Sequence, residues 1–211
     1  MNSYLKKLAL LIALVFAIAF SANAQYGAGS HIRSMLSPAL SGSFSYKGYV
    51  EGSYLRGLGD DRFDVAEIST TQGFTYSSWL FMGAGLGIDL MIPSLDNGLK
   101  GEYSVMVPIY ADFRFNIGNQ SRVGLNIDLR LGTAINFNDD FYTNNGYLLE
   151  DECWYIRPSI SMRIPLSQEK PRKALTIGVT YQLLMSDAYY CYNWYDDKLY
   201  HNVGATIGFE W

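Results

Sequence analysis

From Val123 to Ile135 the chain reads VGLNIDLRLGTAI. Every odd position is apolar except Thr133, and the even positions are Gly124, Asn126, Asp128, Arg130, Gly132 and Ala134. Strict alternation with period two predicts a β-strand with two unlike faces. The same pattern recurs along the chain. Leu80, Met82, Ala84, Leu86, Ile88, Leu90 and Ile92 oppose Phe81, Gly83, Gly85, Gly87 and Asp89. Val105, Val107, Ile109, Ala111, Phe113, Phe115 and Ile117 oppose Pro108, Tyr110, Asp112, Arg114 and Asn116. Further on, Trp154 to Ile164, Leu175 to Leu183 and Val203 to Trp211 alternate in the same way. Near the front, Phe44, Tyr46, Val50 and Tyr54 oppose Ser45, Lys47, Glu51 and Ser53.

These runs predict eight strands, at 42–56, 62–76, 79–92, 104–117, 122–136, 154–166, 174–185 and 201–211. The phase slips midway through Phe63 to Tyr76, which suggests a bulge. Pro108 and Pro158 cannot donate to a neighbouring strand, so they are expected at bulges or ladder ends. The connections alternate. Those near 77–78, 118–121 and 167–173 are short, and those near 57–61, 93–103, 137–153 and 186–200 are mostly longer. An even strand count with tight turns at one end and long loops at the other is the layout of an up-and-down outer-membrane barrel.

The first 24 residues read as a secretory signal peptide: Lys6 and Lys7, an apolar run from Leu8 to Phe20, then Ala22 and Ala24 in an A-x-A pattern before Gln25. The apolar run is short for a helical membrane anchor. Residues 25–41 are expected to form a periplasmic N-terminal segment, and 42–211 the barrel. Without Lys6 and Lys7, 14 basic residues face 20 acidic ones, a net charge of −6. That charge, with no basic stripe, excludes a nucleic-acid partner.

The charges decide which face is wet. Lys47, Glu51, Asp89, Asp112, Arg114, Asp128, Arg130, Arg157, Arg163 and Glu210 all fall on the polar faces, while the apolar faces carry only Arg56. A narrow eight-stranded barrel has no room inside for rows of Leu, Ile, Phe and Trp. The expected fold is therefore an all-β, eight-stranded antiparallel transmembrane β-barrel with a polar interior and a lipid-facing apolar exterior. Phe44, Tyr46, Phe74, Tyr76, Phe113, Phe115, Phe209 and Trp211 fall toward the short-turn ends, as an interfacial aromatic girdle does.

The stretches KGYVEGSY, STTQGFTYSSWLFMGAGLGID, VPIYADFRFNI and the terminal VGATIGFEW carry a resemblance. From about Gly42 to Trp211 the chain resembles the small outer-membrane β-barrel proteins of Gram-negative bacteria, the OmpA/OmpX-type eight-stranded barrels. The resemblance implies an outer-membrane address, with outer-membrane lipid around a monomer and the barrel-assembly machinery reading Phe209 and Trp211 during insertion. Members usually end in Phe, and Trp211 departs from that. The family includes adhesins, membrane tethers and barrels of unassigned role, so it implies no single activity.

Three kinds of chemistry remain to be weighed. The ten interior charges balance, five of each sign, and a turn centred near Asn119–Gln120 would set Asp112 opposite Asp128 and Arg114 opposite Asn126. Oppositely charged diagonal pairs follow, and with them a salt-bridge plug, with a narrow or gated porin-like channel as the alternative. A lipid-acting enzyme would need His201 with Ser186 and Asp187 across one loop, or His31; no catalytic residue is assigned from so common a set. The acidic loop residues Asp139, Asp140, Asp151, Glu152, Asp196 and Asp197 lack EF-hand spacing, so no metal and no cofactor is expected.

The two longest loops hold Tyr142, Tyr147, Tyr189, Tyr190, Tyr192, Trp194 and Tyr195. Exposed aromatics of this kind suit an extracellular partner, and equally suit packing on one another. Cys153 and Cys191 fall at the same rim of an exported chain, which predicts a disulfide between them. The sequence thus points to a structural or surface-interaction role, adhesin-like or supporting envelope integrity.

Overall fold

The computed structural model describes residues 44–59, 62–76, 79–93, 103–118, 122–137, 152–167, 173–190 and 194–211. Strands β1 (Phe44–Leu58), β2 (Phe63–Tyr76), β3 (Leu80–Pro93), β4 (Ser104–Ile117), β5 (Gly124–Asn136), β6 (Glu152–Pro165), β7 (Ala174–Tyr190) and β8 (Trp194–Glu210) follow one another around a closed antiparallel barrel. Closure runs from Tyr49 opposite Glu210 to Leu58 opposite His201. Below that ladder Gly48 and Trp211 exchange two backbone hydrogen bonds, each 3.1 Å, so the last residue seals the seam. The expected signal peptide and the segment 25–41 lie outside the described residues.

The barrel is inside-out relative to a soluble one. Ile68, Ile109, Ile127, Leu129, Leu131, Ile160, Val179 and Ile207 are exposed on the outer wall, while Arg114, Arg130 and Arg157 are among the largest fully buried side chains. At the short-turn end, Tyr46 packs on Phe74, Trp79 on Phe115 and Phe209 on Trp211, with ring centroids 6.1 to 6.2 Å apart. Aromatic pairs on an apolar wall are suited to a membrane interface.

Three expectations are corrected. First, β2 has no bulge: its burial alternates throughout, and it pairs with β3 in unbroken register from Phe63 opposite Pro93 to Tyr76 opposite Leu80. The apparent slip has another cause. Phe63 and Val65 are buried inward, so the inner face of β2 is apolar at the loop end and polar below.

Second, the prolines sit mid-strand without bulges. The β3–β4 ladder skips from Leu86 opposite Ile109 to Asp89 opposite Met106, and β6–β7 from Ile156 opposite Leu183 to Ser159 opposite Thr180. Register is the same on both sides of each gap, so each proline removes a ladder bond and nothing more. Gly87 faces Pro108: a Cβ there would lie 3.1 Å from the ring Cγ.

Third, the last long connection is mostly strand. β7 and β8 stay paired to Tyr190 opposite Trp194, with only residues 191–193 between them. Their outer parts extend past the last β1–β8 pair at His201 and the last β6–β7 pair at Met185. A two-stranded hairpin therefore rises beyond the rim.

Candidate functional site

The lumen holds the chemistry. Period-two alternation sends every second residue of each strand inward, and the inward set is layered along the axis. At the short-turn end, Glu210 accepts from Lys47 Nζ at 2.6 Å and from Arg163 Nε and Nη2 at 2.9 and 2.8 Å. Above it, Arg114 reaches from β4 to β1, its Nη1 and Nη2 donating to Glu51 Oε1 and Oε2 at 3.1 and 2.7 Å. Its Nε and Nη2 also donate to Asp112 Oδ2 at 2.9 and 2.6 Å. The guanidinium lies 3.8 Å over the Tyr49 ring.

Arg130 is the hub. Its Nη2 bonds Glu51 Oε2, its Nη1 lies 3.4 Å from Glu67 Oε1, and Asp112 and Asp128 stand within 3.8 Å. Arg157 completes the plug through Glu67 Oε2, Thr180 Oγ1 at 2.8 Å and Ser53 Oγ at 2.6 Å. Asp128 also accepts from Ser159 Oγ. At the upper edge Gln182 Nε2 donates to Asp89 Oδ2 at 3.1 Å, joining β7 to β3 across the barrel. Over this layer sits a buried apolar cluster that includes Leu55, Phe63, Val65, Met91, Met106 and Leu184.

The ten charged residues singled out from the sequence are thus all buried in one lumen. Their register differs from the expectation by two residues. Arg114 faces Asp128 and Asp112 faces Arg130 directly, with Asn116 opposite Asn126. Opposite charges therefore meet head-on rather than on the diagonal. Glu67, which sequence reasoning missed, is 2% exposed and binds two arginines. The signal was the short β2–β3 turn, which sets Glu67 opposite Asp89.

No family model matches the chain, and no curated protein matches it. Among solved structures, the barrel is similar to Neisserial surface protein A at 11% identity and a TM-score of 0.52, over 80% of this chain and 97% of that one. It also matches the N-terminal β-barrel domain of Pseudomonas aeruginosa OprF (7% identity, TM-score 0.44, 80% and 100% coverage). A third match is the outer membrane protein AlkL, solved by solid-state NMR in DMPC bilayers (13%, 0.43, 81% and 87%). The chain has the fold of a small eight-stranded outer-membrane barrel. At such identity the likeness is one of fold.

Among the described residues, His201 and Ser186 point to opposite sides of the wall. His201 lies on the outer wall, its Nδ1 bonded to Tyr181 OH, whereas Ser186 is buried on the inward side of the neighbouring strand. His31 and the aromatics Tyr142, Tyr147 and Tyr192 lie outside the described residues. Tyr189 pairs with Tyr195 and Tyr190 with Trp194 along the backbone of the projecting hairpin. Cys153 is buried on the inward face, and Cys191, with the expected Cys153–Cys191 disulfide, lies outside the described residues. β7 remains extended four residues past Ser186 to Tyr190, about 13 Å of rise at ordinary strand spacing.

Proposed function

We propose that this chain is an outer-membrane protein whose barrel is a sealed support and whose working surface is the outward β7–β8 hairpin with its neighbouring loops. The observation that carries this reading is the two-layer lumen. Arg114, Arg130 and Arg157 span the bore between carboxylates of β1, β2, β4 and β5, and a buried apolar cluster covers them. An ion crossing such a bore would have to displace paired buried charges and then enter an apolar layer, both costly. That favours an envelope-supporting or adhesin-like role over a channel.

The apolar outer wall and the aromatic pairs at one end support insertion among outer-membrane lipids as a monomer, with the leader providing export. The hairpin aromatics at positions 189, 190, 194 and 195 support contact with an extracellular partner. Reconstitution of the refolded protein in planar bilayers tests the seal. The expected result is no steady conductance; defined current steps from pure protein would make the chain a channel.

A further inference from the structure

We propose that Asp89 and Glu67 form a buried acid–carboxylate pair that binds one proton inside the lumen, held on Asp89. The two residues are directly opposed on β3 and β2, a pairing that sets their Cβ atoms about 4.5–5.5 Å apart, and both are buried in the lumen. Ionised carboxylates only accept, so two that face each other can be joined by a hydrogen bond only when one carries a proton.

The lumen is also short of one positive charge. Among the described lumen residues, the cations Lys47, Arg114, Arg130, Arg157 and Arg163 face the carboxyls Glu51, Glu67, Asp89, Asp112, Asp128 and Glu210. Five positive groups therefore meet six acidic ones. Each carboxyl other than Asp89 lies within 4.0 Å of a lysine or arginine nitrogen. Among the described residues Asp89 forms no such pair, is wholly buried, and has an Oδ1 without a hydrogen-bond partner. An uncompensated buried charge is costly, and two carboxylates facing each other in a dry lumen resist ionising together. Glu67 already serves Arg130 and Arg157, so the proton belongs on Asp89.

The groups around the pair are consistent with this. Arg157 and Tyr155 reach Glu67 from β6 and Arg130 reaches it from β5, Arg130 also meeting Glu51 of β1 and Tyr110 of β4, and Gln182 reaches Asp89 from β7 with its uncharged neighbour Asn202 on β8. The cations among them are committed to Glu51 and Glu67. A proton supplies the missing positive charge without enlarging the site. It also lets Asp89 donate toward Glu67 while its Oδ2 keeps the bond from Gln182.

The folded chain then binds one proton that an unfolded aspartate at neutral pH does not. Raising the pH shifts the balance toward the unfolded chain, by up to about tenfold per pH unit until the site empties. This inference rests on the sealed lumen, yet the two fail separately, because conductance reports the seal and infrared absorption reports the proton.

The test is the infrared spectrum of the protein refolded in lipid vesicles at pH 7, wild type beside Asp89→Asn. A carboxylic-acid carbonyl band present in wild type and lost in Asp89→Asn is expected, together with a shallower alkaline dependence of unfolding in the variant. Absence of the band from wild type, or its persistence in the variant, overturns the proposal. Should Asp89→Asn fail to refold, wild type labelled with carboxyl-carbon-13 aspartate decides. The acid band moves if Asp89 holds the proton, and an unmoved band overturns the assignment.

Discussion

Glu51 on β1 and Arg114 on β4 form a two-pronged hydrogen-bonded pair, 3.1 and 2.7 Å, between strands that share no ladder. The same carboxylate also takes Arg130 Nη2 from β5. One side chain thus ties three staves of the wall together through the bore. Removing its charge leaves two buried guanidiniums short of a partner, a loss of about 3–5 kcal/mol for a broken buried pair. Glu51→Gln is expected to lower the urea midpoint of unfolding in lipid vesicles with the slope unchanged. A midpoint equal to wild type would show that the pair is not coupled to stability.

The outer wall predicts a dependence on depth. Leu129 lies mid-strand on the exposed face, opposite Phe113 and Pro158, whereas Leu58 ends β1 at the rim. Arginine at a lipid-facing midplane position costs about 2–4 kcal/mol and near the interface about 0–1 kcal/mol. Leu129→Arg should therefore reduce folding stability in bilayers far more than Leu58→Arg. Equal effects would mean that the apolar wall is not in contact with lipid chains.

The seam between β1 and β8 depends on a glycine. A Cβ at Gly204 would lie 1.9 Å from the carbonyl oxygen of Tyr54 and 2.6 Å from the Cα of Leu55, whereas one at Gly52 meets nothing closer than 3.9 Å. Gly204→Ala must push backbone apart where the barrel closes, an overpacking cost of about 1–3 kcal/mol. Its refolded yield should fall while Gly52→Ala refolds as wild type. Matching yields would place the seam's tolerance well above what this geometry allows.

Trp211 has two roles that separate experimentally. Its backbone closes the seam with Gly48, which most residues can do, and its ring stacks on Phe209 on the outer wall. Trp211→Phe keeps an aromatic terminus and should insert in cells as well as wild type. Trp211→Ala should reduce insertion in cells while still refolding in detergent. Equal insertion of both variants would remove Trp211 from the assembly signal.

The faces of the strands were legible in the sequence because the side-chain period of a strand is two, independent of its neighbours. Reading Asp112, Arg114, Asp128 and Arg130 on one side and Ile109, Phe113, Ile127 and Leu129 on the other needed no partner strand. Seven such runs, with every charge but Arg56 on one face, were enough to decide an inside-out barrel. Register was a different matter. It depends on the connection as well as on the pattern, and every β4–β5 pair lies two positions from the expected one.

Glu67 was hidden for a related reason. The inner face of β2 changes from apolar at Phe63 and Val65 to polar at Glu67, Ser69 and Thr71, so hydropathy alone gave that strand no constant phase. The extent of the β7–β8 hairpin was equally invisible, since Asp, Asn and Tyr read as loop until each strand has the other to pair with. Sequence alone determined which residues turn inward, because that is a local property of extended backbone. Only closure of the barrel decided which of them meet, because Glu51, Arg114 and Arg130 become neighbours across a bore that does not exist until the first strand joins the last.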